Sequence, residues 1–196
     1  MVKNYVNEIK KLNKKAEVNR ACYSDLHKLY KLLDNLINIV VIISSAIVAI
    51  LTFADIEYFR IIFKYINQES FTLLVGILAS IIFIITLVQQ YLNLSTKSDE
   101  SEIAIKRITN FIRDTSSLKN EENIDEKKFN QILEDYKKIN EENPVIPDYI
   151  FIRAKSKLNQ KIQISRYIDK YPMKKIRHIK KELRNKSIEE IDKLLE

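Results

Sequence analysis

Glycine is almost absent from this sequence: one residue in 196, Gly76, alongside three prolines, one cysteine, two histidines and no tryptophan. So little glycine and proline excludes a turn-rich β protein and suits long helices. It also excludes a Gly-rich phosphate loop of either common type, since Gly76 stands inside an apolar run. The lone Cys22 cannot close an intramolecular disulfide, and no Cys/His cluster has zinc-ligand spacing. Neither a metal nor an oxidising compartment is therefore expected. His27 and His178 lack HExxH, CxxC or GxSxG partners and are expected to be surface or packing residues. No catalytic residue and no cofactor is predicted, and the chain is not expected to be an enzyme.

Against these absences stand two uninterrupted apolar runs, Leu36 to Ala54 (LINIVVIISSAIVAILTFA) and Phe71 to Val88 (FTLLVGILASIIFIITLV), neither with a charged side chain. A hydrocarbon core of roughly 30 Å needs about 20 residues of helix to cross it, and both runs are close to that length. Backbone groups inside hydrocarbon must be satisfied within the segment, which makes such runs helical. The expectation is two membrane-spanning helices forming a hairpin, with spans at about 36–54 and 71–90 of a hairpin covering 36–92. The competing soluble interpretation, a buried hairpin in a helical bundle, needs a wrapping layer that the remaining chain can hardly supply. A signal peptide is disfavoured, because some 35 residues of helix-like sequence precede the first run and no small-residue cleavage pattern follows it.

The absence of charge inside the spans excludes a proton-relay transporter or intramembrane protease. Outside them charge is plentiful: 33 Lys/Arg against 26 Asp/Glu, net +7. An anionic partner is implied, whether lipid, nucleotide or nucleic acid. Part of the lysine content accompanies an abundance of Ile and Asn and reflects A/T-rich coding, so only its placement is informative. The segment 55–70 between the spans carries two basic residues, the first 36 residues carry eight, and the chain beyond residue 92 carries 23. The positive-inside rule then puts both termini in the cytosol. Tyr58, Phe59, Phe63 and Tyr65 suit an interfacial helix or turn on the outer side.

Residues 1–35 read as an amphipathic lead-in helix with Tyr5, Ile9, Leu12, Ala16, Cys22, Leu26, Leu29 and Leu33 at helical spacing, running without a stop into the first span. It could lie on an anionic surface or pack on other helices. Packing is favoured, because Glu8, Glu17, Asp25 and Asp34 interrupt the basic face. The region 93–196 reads as three or four amphipathic cytosolic helices able to pack with the lead-in into a bundle. Ala104, Ile108, Phe111, Ile112 and Leu118 extend a stripe beyond the second span. Asn123 with Glu126 forms a capping-box signal before a helix faced by Phe129, Ile132, Leu133, Tyr136 and Ile139, and Ser187 with Glu190 forms a second one. Pro144 and Pro147 punctuate the chain, and a helix from about Asp148 to Lys170 is closed by Pro172. The fold class is all-α.

Two features are candidate sites. In the first span Asn38, Ser45 and Thr52 are seven apart with Ala49 four after Ser45; in the second, Thr72, Gly76, Ala79, Thr86 and Gln90 share a stripe completed by Phe83. Such small and hydroxyl-bearing stripes pack helices within or between subunits, or line a water-filled path in an oligomer, because two helices cannot enclose a pore alone. The other feature is residues 153–186, with thirteen Lys/Arg against Asp169 and Glu182. Lys174, Lys175, Arg177, Lys180, Lys181 and Arg184 are its candidate contacts to anionic lipid or a nucleotide phosphate. Lipid is the favoured partner, and nucleic acid is possible but not favoured.

The layout resembles a known family. A basic lead-in containing Asn19-Arg20-Ala21 (NRACYSDLHKLYKLLDNLINIVVIISSAIVAILTF) passes into one span, and a second span continues into QQYLNLSTKSDESEIAIKRITNFIRD and a helical tail. This is similar to the SLATT family of two-helix membrane effectors associated with bacterial nucleotide-signalling and defence systems, most clearly over residues 18–115. The resemblance implies a homo-oligomer in the bacterial inner membrane that permeabilises it when triggered by a separately encoded sensor or nucleotide-signalling partner, causing growth arrest or cell death. It transfers no site residue. The alternative function is a non-conducting membrane anchor that recruits a soluble partner or nucleic acid through its basic tail.

Overall fold

With no glycine or proline from Tyr5 to Phe53, nothing interrupts the backbone there, and these 49 residues form a single helix, α1. At 1.5 Å per residue it is about 74 Å long. The computed structural model describes residues 5–53, 67–120, 124–184, 186, 190 and 193. After α1 come α2 (Gln68–Leu92), α3 (Leu94–Ser116), a 3-10 turn (Ser117–Asn120), α4 (Glu126–Glu142), α5 (Asp148–Lys170) and α6 (Ile176–Leu183). The chain is all-helical, with no strand among the described residues. Most of the expected outer segment, with Tyr58, Phe59, Phe63 and Tyr65, lies outside the described residues, as do Asn123 and Ser187 of the two capping-box signals.

Local chemistry accounts for the helix ends. Asn67 caps α2, its Oδ1 accepting from the Ser70 N–H at 3.0 Å and satisfying one of the first-turn donors. Asn93 ends α2 in the left-handed conformation, φ 47° and ψ 46°, which asparagine tolerates better than most residues. Its N–H donates to the Gln89 carbonyl at 3.3 Å and its own carbonyl accepts from Lys97, so the helical path resumes at once as α3. The apolar stripe beyond the second span thus continues after a break with no glycine or proline to signal it. Asp125 is the N-cap of α4, without a side-chain cap bond. Pro147 precedes α5, its carbonyl accepting from Ile150 and Phe151 at 3.0 Å each. Pro172 follows the C-cap residue Tyr171.

The chain divides into two compact units, Met1–Leu26 with Ser101–Glu196, and His27–Glu100. In the first, α3 buries Ser101, Ala104, Ile108, Phe111 and Thr115, a 3-4 alternation that Leu118 of the 3-10 turn continues, while the start of α1 buries Ile9, Asn13, Ala16, Cys22, Tyr23 and Leu26. The N-terminal part of α1 is therefore a packed helix. It meets three neighbours: Thr115 of α3 lies 2.7 Å from Asn13, Asn19 donates to Tyr136 and Asn140 of α4 at 3.3 Å, and Lys157 of α5 pairs with Asp25 at 2.7 Å. The Tyr5 and Phe129 rings stack at 4.8 Å, and Tyr23 Oη donates to the Pro144 carbonyl at 2.7 Å. Ile132, Ile150, Ala154, Tyr167 and Ile179 add buried side chains from α4, α5 and α6. A fully buried Ile or Leu contributes roughly 1.5–3 kcal/mol, so this unit has a core of its own.

Asn13 and Thr115 form a polar link inside that core. The Thr115 hydroxyl has one proton and two close acceptors, Asn13 Oδ1 at 2.7 Å and the Phe111 carbonyl at 2.6 Å, with the Ile112 carbonyl further off at 3.4 Å, while Asn13 Nδ2 is buried with no partner. With the Asn13 amide turned over, its N–H donates to Thr115 Oγ1 and the hydroxyl proton goes to Phe111, leaving one acceptor unpaired in place of one donor.

Candidate functional site

The second unit has the opposite burial pattern. Its described residues bury only Phe71, Leu94 and Ser98. Large apolar side chains point outward instead: Ile42 is 67% exposed, Ile50 62%, Phe53 89%, Leu73 67% and Phe83 64%. Two helices here are long and apolar enough to cross a membrane, and 0% and 6% of their most apolar windows are buried. Helices serving as the core of a soluble bundle would show these side chains covered.

Two hydrogen bonds fix how α1 and the α2–α3 segment pair within this unit. His27 Nδ1 lies 3.0 Å from the Ser98 carbonyl and 3.1 Å from Ser98 Oγ, and Gln89 Nε2 donates to Asn38 Oδ1 at 2.8 Å. As one partner advances along the chain the other retreats, so the pairing is antiparallel. The half-buried positions of α1 agree: Asp34, Ile37, Val41, Ser44, Val48 and Leu51 recur in a 3-4 alternation. On α2 the matching row is Val75, Leu78, Ile82, Ile85, Gln89 and Leu92, with Leu78 at the exposed margin. Starting from Asn38–Gln89, this register sets Val41 opposite Ile85, Ser44 opposite Ile82 and Leu51 opposite Val75. The seam is β-branched and apolar, with Ser44 as its small residue.

The stripe expected from sequence lies elsewhere on the helices. Ser45, Ala49, Thr52, Thr72, Gly76, Ala79 and Gln90 are all exposed. Only Thr86, half-buried, and Asn38, through Gln89, take part in the seam. In both helices the stripe sits one residue on from the seam row, about 100° further round the axis. Because the two helices run antiparallel, the same rotation carries both stripes to the same side of the pair. Ser45, Ala49 and Thr52 thereby share one outward face with Thr72, Gly76 and Ala79. A Cβ built on Gly76 meets nothing within 4 Å. Three hydroxyls on and beside this face are satisfied locally, Thr52 donating to the Val48 carbonyl at 2.7 Å, Thr72 to Gln68 at 3.0 Å and Ser80 to Gly76 at 2.9 Å. Hydroxyls bonded within their own helix in this way can meet lipid or another helix at little desolvation cost.

The basic candidates separate into two kinds. Lys174, itself exposed, is engaged within the chain: its Nζ donates to Tyr167 Oη at 3.1 Å and to both Glu182 oxygens at 3.1 and 3.2 Å, and it lies over the Tyr167 and Tyr171 rings at 5.3 and 5.0 Å. Tyr167 Oη itself donates to Glu182 at 2.7 Å. The bond to Tyr167, then that to Glu182, raises the Lys174 ammonium above its ordinary range, and the bonds from Tyr167 and then Lys174 lower the Glu182 carboxyl. This cluster ties α5 to α6 and uses up one of the expected anion contacts. Lys175, Arg177, Lys180, Lys181 and Arg184 remain exposed.

Cys22, fully buried, is pushed up to about 11 by desolvation and then by the Asp25 charge, so it is no nucleophile at neutral pH. Among the described residues no group of three or more His, Cys, Asp or Glu side chains could hold a metal. Compared with known proteins, the chain finds no match among family models, curated proteins or solved structures.

Proposed function

We propose that this chain is an integral membrane effector: a two-helix hairpin that spans the bacterial inner membrane, with α3 to α6 and the start of α1 as a cytosolic bundle. The hairpin assembles with further copies and permeabilises the membrane to ions when triggered. The observation that carries the proposal is the outward face of the hairpin. Two antiparallel apolar helices leave their lipid-length surfaces uncovered, and on one side they juxtapose Ser45, Ala49 and Thr52 with Thr72, Gly76 and Ala79. Small residues on an uncovered face allow close approach of helices from another copy. In the assembly, hydroxyls and backbone dipoles along that face would line a weakly selective path. The resemblance to the SLATT family supports the same assignment, with growth arrest of an infected cell as the outcome and a separately encoded sensor as the trigger.

The test is reconstitution of the full chain in vesicles loaded with a self-quenching dye. At high protein-to-lipid ratio, where mass action drives assembly without the trigger, the intact protein releases dye in a steeply concentration-dependent manner, while Ser45→Leu and Gly76→Leu insert equally, judged by resistance to alkaline carbonate, and release none. Release unaltered by either substitution would remove the stripe from the mechanism. The exposed cations Lys175, Arg177, Lys180, Lys181 and Arg184 support a second reading, a non-conducting anchor that recruits an anionic partner. An anchor would tolerate both span substitutions and fail on reversal of those charges.

A further inference from the structure

One face of α5 and the end of α6 enclose an open groove of ≈ 870 Å³. Phe151, Lys155, Asn159 and Gln163 stand one turn apart along its floor, flanked by the apolar Ile152 and Ile164. The facing wall is Lys180, Leu183, Arg184 and Lys186. Four cations thus converge on one concavity, and among the described residues no carboxylate lines it. Glu182 of α6 feels Lys186 but accepts its hydrogen bonds from Tyr167 and Lys174. Like charges focused in a concave, partly apolar wall raise the local potential and draw in a counter-anion.

Three further observations narrow the anion. The groove lies within the 300–1,000 Å³ range of small-molecule sites, far larger than one phosphate group needs. Gln163 lines the groove while its Oε1 is tucked in with no hydrogen-bond partner, so a turn of the side chain toward an N–H donor in the groove satisfies an acceptor that is otherwise orphaned. The Phe151 ring, 38% exposed, offers a flat surface with Lys155 Nζ 6.0 Å from its centroid. Cations suit phosphate oxygens, the ring suits a base, and the carboxamides of Asn159 and Gln163 suit a base edge with its amine. We infer that this groove is a binding site for a soluble nucleotide, held by Lys155, Lys180, Arg184 and Lys186 through phosphate and by Phe151 and Gln163 through the base. A phospholipid headgroup supplies the same phosphate chemistry without the flat amine-bearing body. The site keeps Lys180 and Arg184 of the contacts expected from the linear sequence, loses Lys174, which is spent internally, and gains Lys155, Asn159 and Gln163 from the preceding helix. It is read by binding and the pore by conductance, so the failure of one is distinguishable from the failure of the other.

The experiment titrates N-methylanthraniloyl-ATP into the full chain held in neutral phosphatidylcholine nanodiscs, followed by fluorescence anisotropy. Saturable binding is expected, displaced by unlabelled ATP but not by matched inorganic phosphate or phosphatidylglycerol vesicles. Lys180→Glu and Arg184→Glu each weaken it by about tenfold and flatten its salt dependence. Gln163→Leu weakens it several-fold with the salt dependence kept. Arg177→Glu, the same charge reversal outside the groove, leaves it unchanged, and circular dichroism with a thermal melt verifies that each variant is folded. Absence of saturable binding, displacement by phosphate or by anionic vesicles as effective as by ATP, or an Arg177→Glu loss equal to that of Arg184→Glu would each overturn the assignment.

Discussion

Replacing Gly76 separates the protomer from the proposed assembly, because the two are expected to respond in opposite directions. Within one protomer a Cβ at Gly76 has open space on every side. Alanine there removes the backbone-entropy cost of glycine inside a helix, a gain of about 0.5–1 kcal/mol, and leucine adds only outward-facing apolar surface. The protomer should therefore hold or gain stability. At the proposed contact between copies the balance reverses: a side chain inserted into a close helix contact costs typically about 1–3 kcal/mol, so Gly76→Leu should weaken self-association by roughly fivefold to more than a hundredfold. The assay is energy transfer between donor- and acceptor-labelled chains in vesicles as the protein-to-lipid ratio is varied, with helix content followed against denaturant in parallel. Unchanged transfer for Gly76→Leu would refute the stripe as the contact between copies. A loss of protomer stability would refute the open space around Gly76.

Three other outcomes follow from the packed unit and the orientation. Thr115→Val strands the buried Asn13 amide and should cost about 1–3 kcal/mol in chemical denaturation, most of it recovered in Thr115→Val with Asn13→Leu; equal costs for the single and double variants would count against the link. Cys22, raised from 9.0 to about 11, and Tyr23, raised from 10.0 to about 12 by desolvation and then by Cys22 and Tyr136, both favour the protonated form when folded. Their stabilisation is complete below pH 9 and is lost as pH rises through 9 to 12, so thermal melts should fall across that window, and Cys22 should react with a thiol reagent at pH 8 only after denaturant is added. Green fluorescent protein fused after Glu196 should fluoresce in bacteria, as a cytosolic C-terminus requires, and a dark, exported fusion would reverse the orientation.

The helices were legible where sequence and chemistry agree. Pro147 and Pro172 bracket α5, and the run from Tyr5 to Phe53 contains nothing that stops a helix. Ala104, Ile108 and Phe111 gave away the α3 face, whereas Ser101 and Thr115, equally buried, did not, because polarity masks a seam position whose hydroxyl is satisfied inside the helix pair. The facing of the spans was least legible. When a run is apolar on every side, periodicity cannot say which side meets its partner, and the eye settles on the small residues. The seam chose the neighbouring row, Ser44 in place of Ser45. Asn93 carried no breaker signal, because only the left-handed tolerance of asparagine marks that break. The basic groove was hidden for another reason: its cations are brought together by the α5–α6 packing, while Lys174, at the centre of the linear cluster, bonds to Glu182.

Membrane potential in bacteria expressing the intact chain at a level high enough for assembly without the trigger, read with a voltage-sensitive dye beside Gly76→Leu at matched membrane levels, tests the central claim most directly. Depolarisation by the intact chain, with the potential kept by Gly76→Leu, is the predicted result. A potential that holds while the intact protein is carbonate-resistant and cross-links as an oligomer in the same membranes would contradict it.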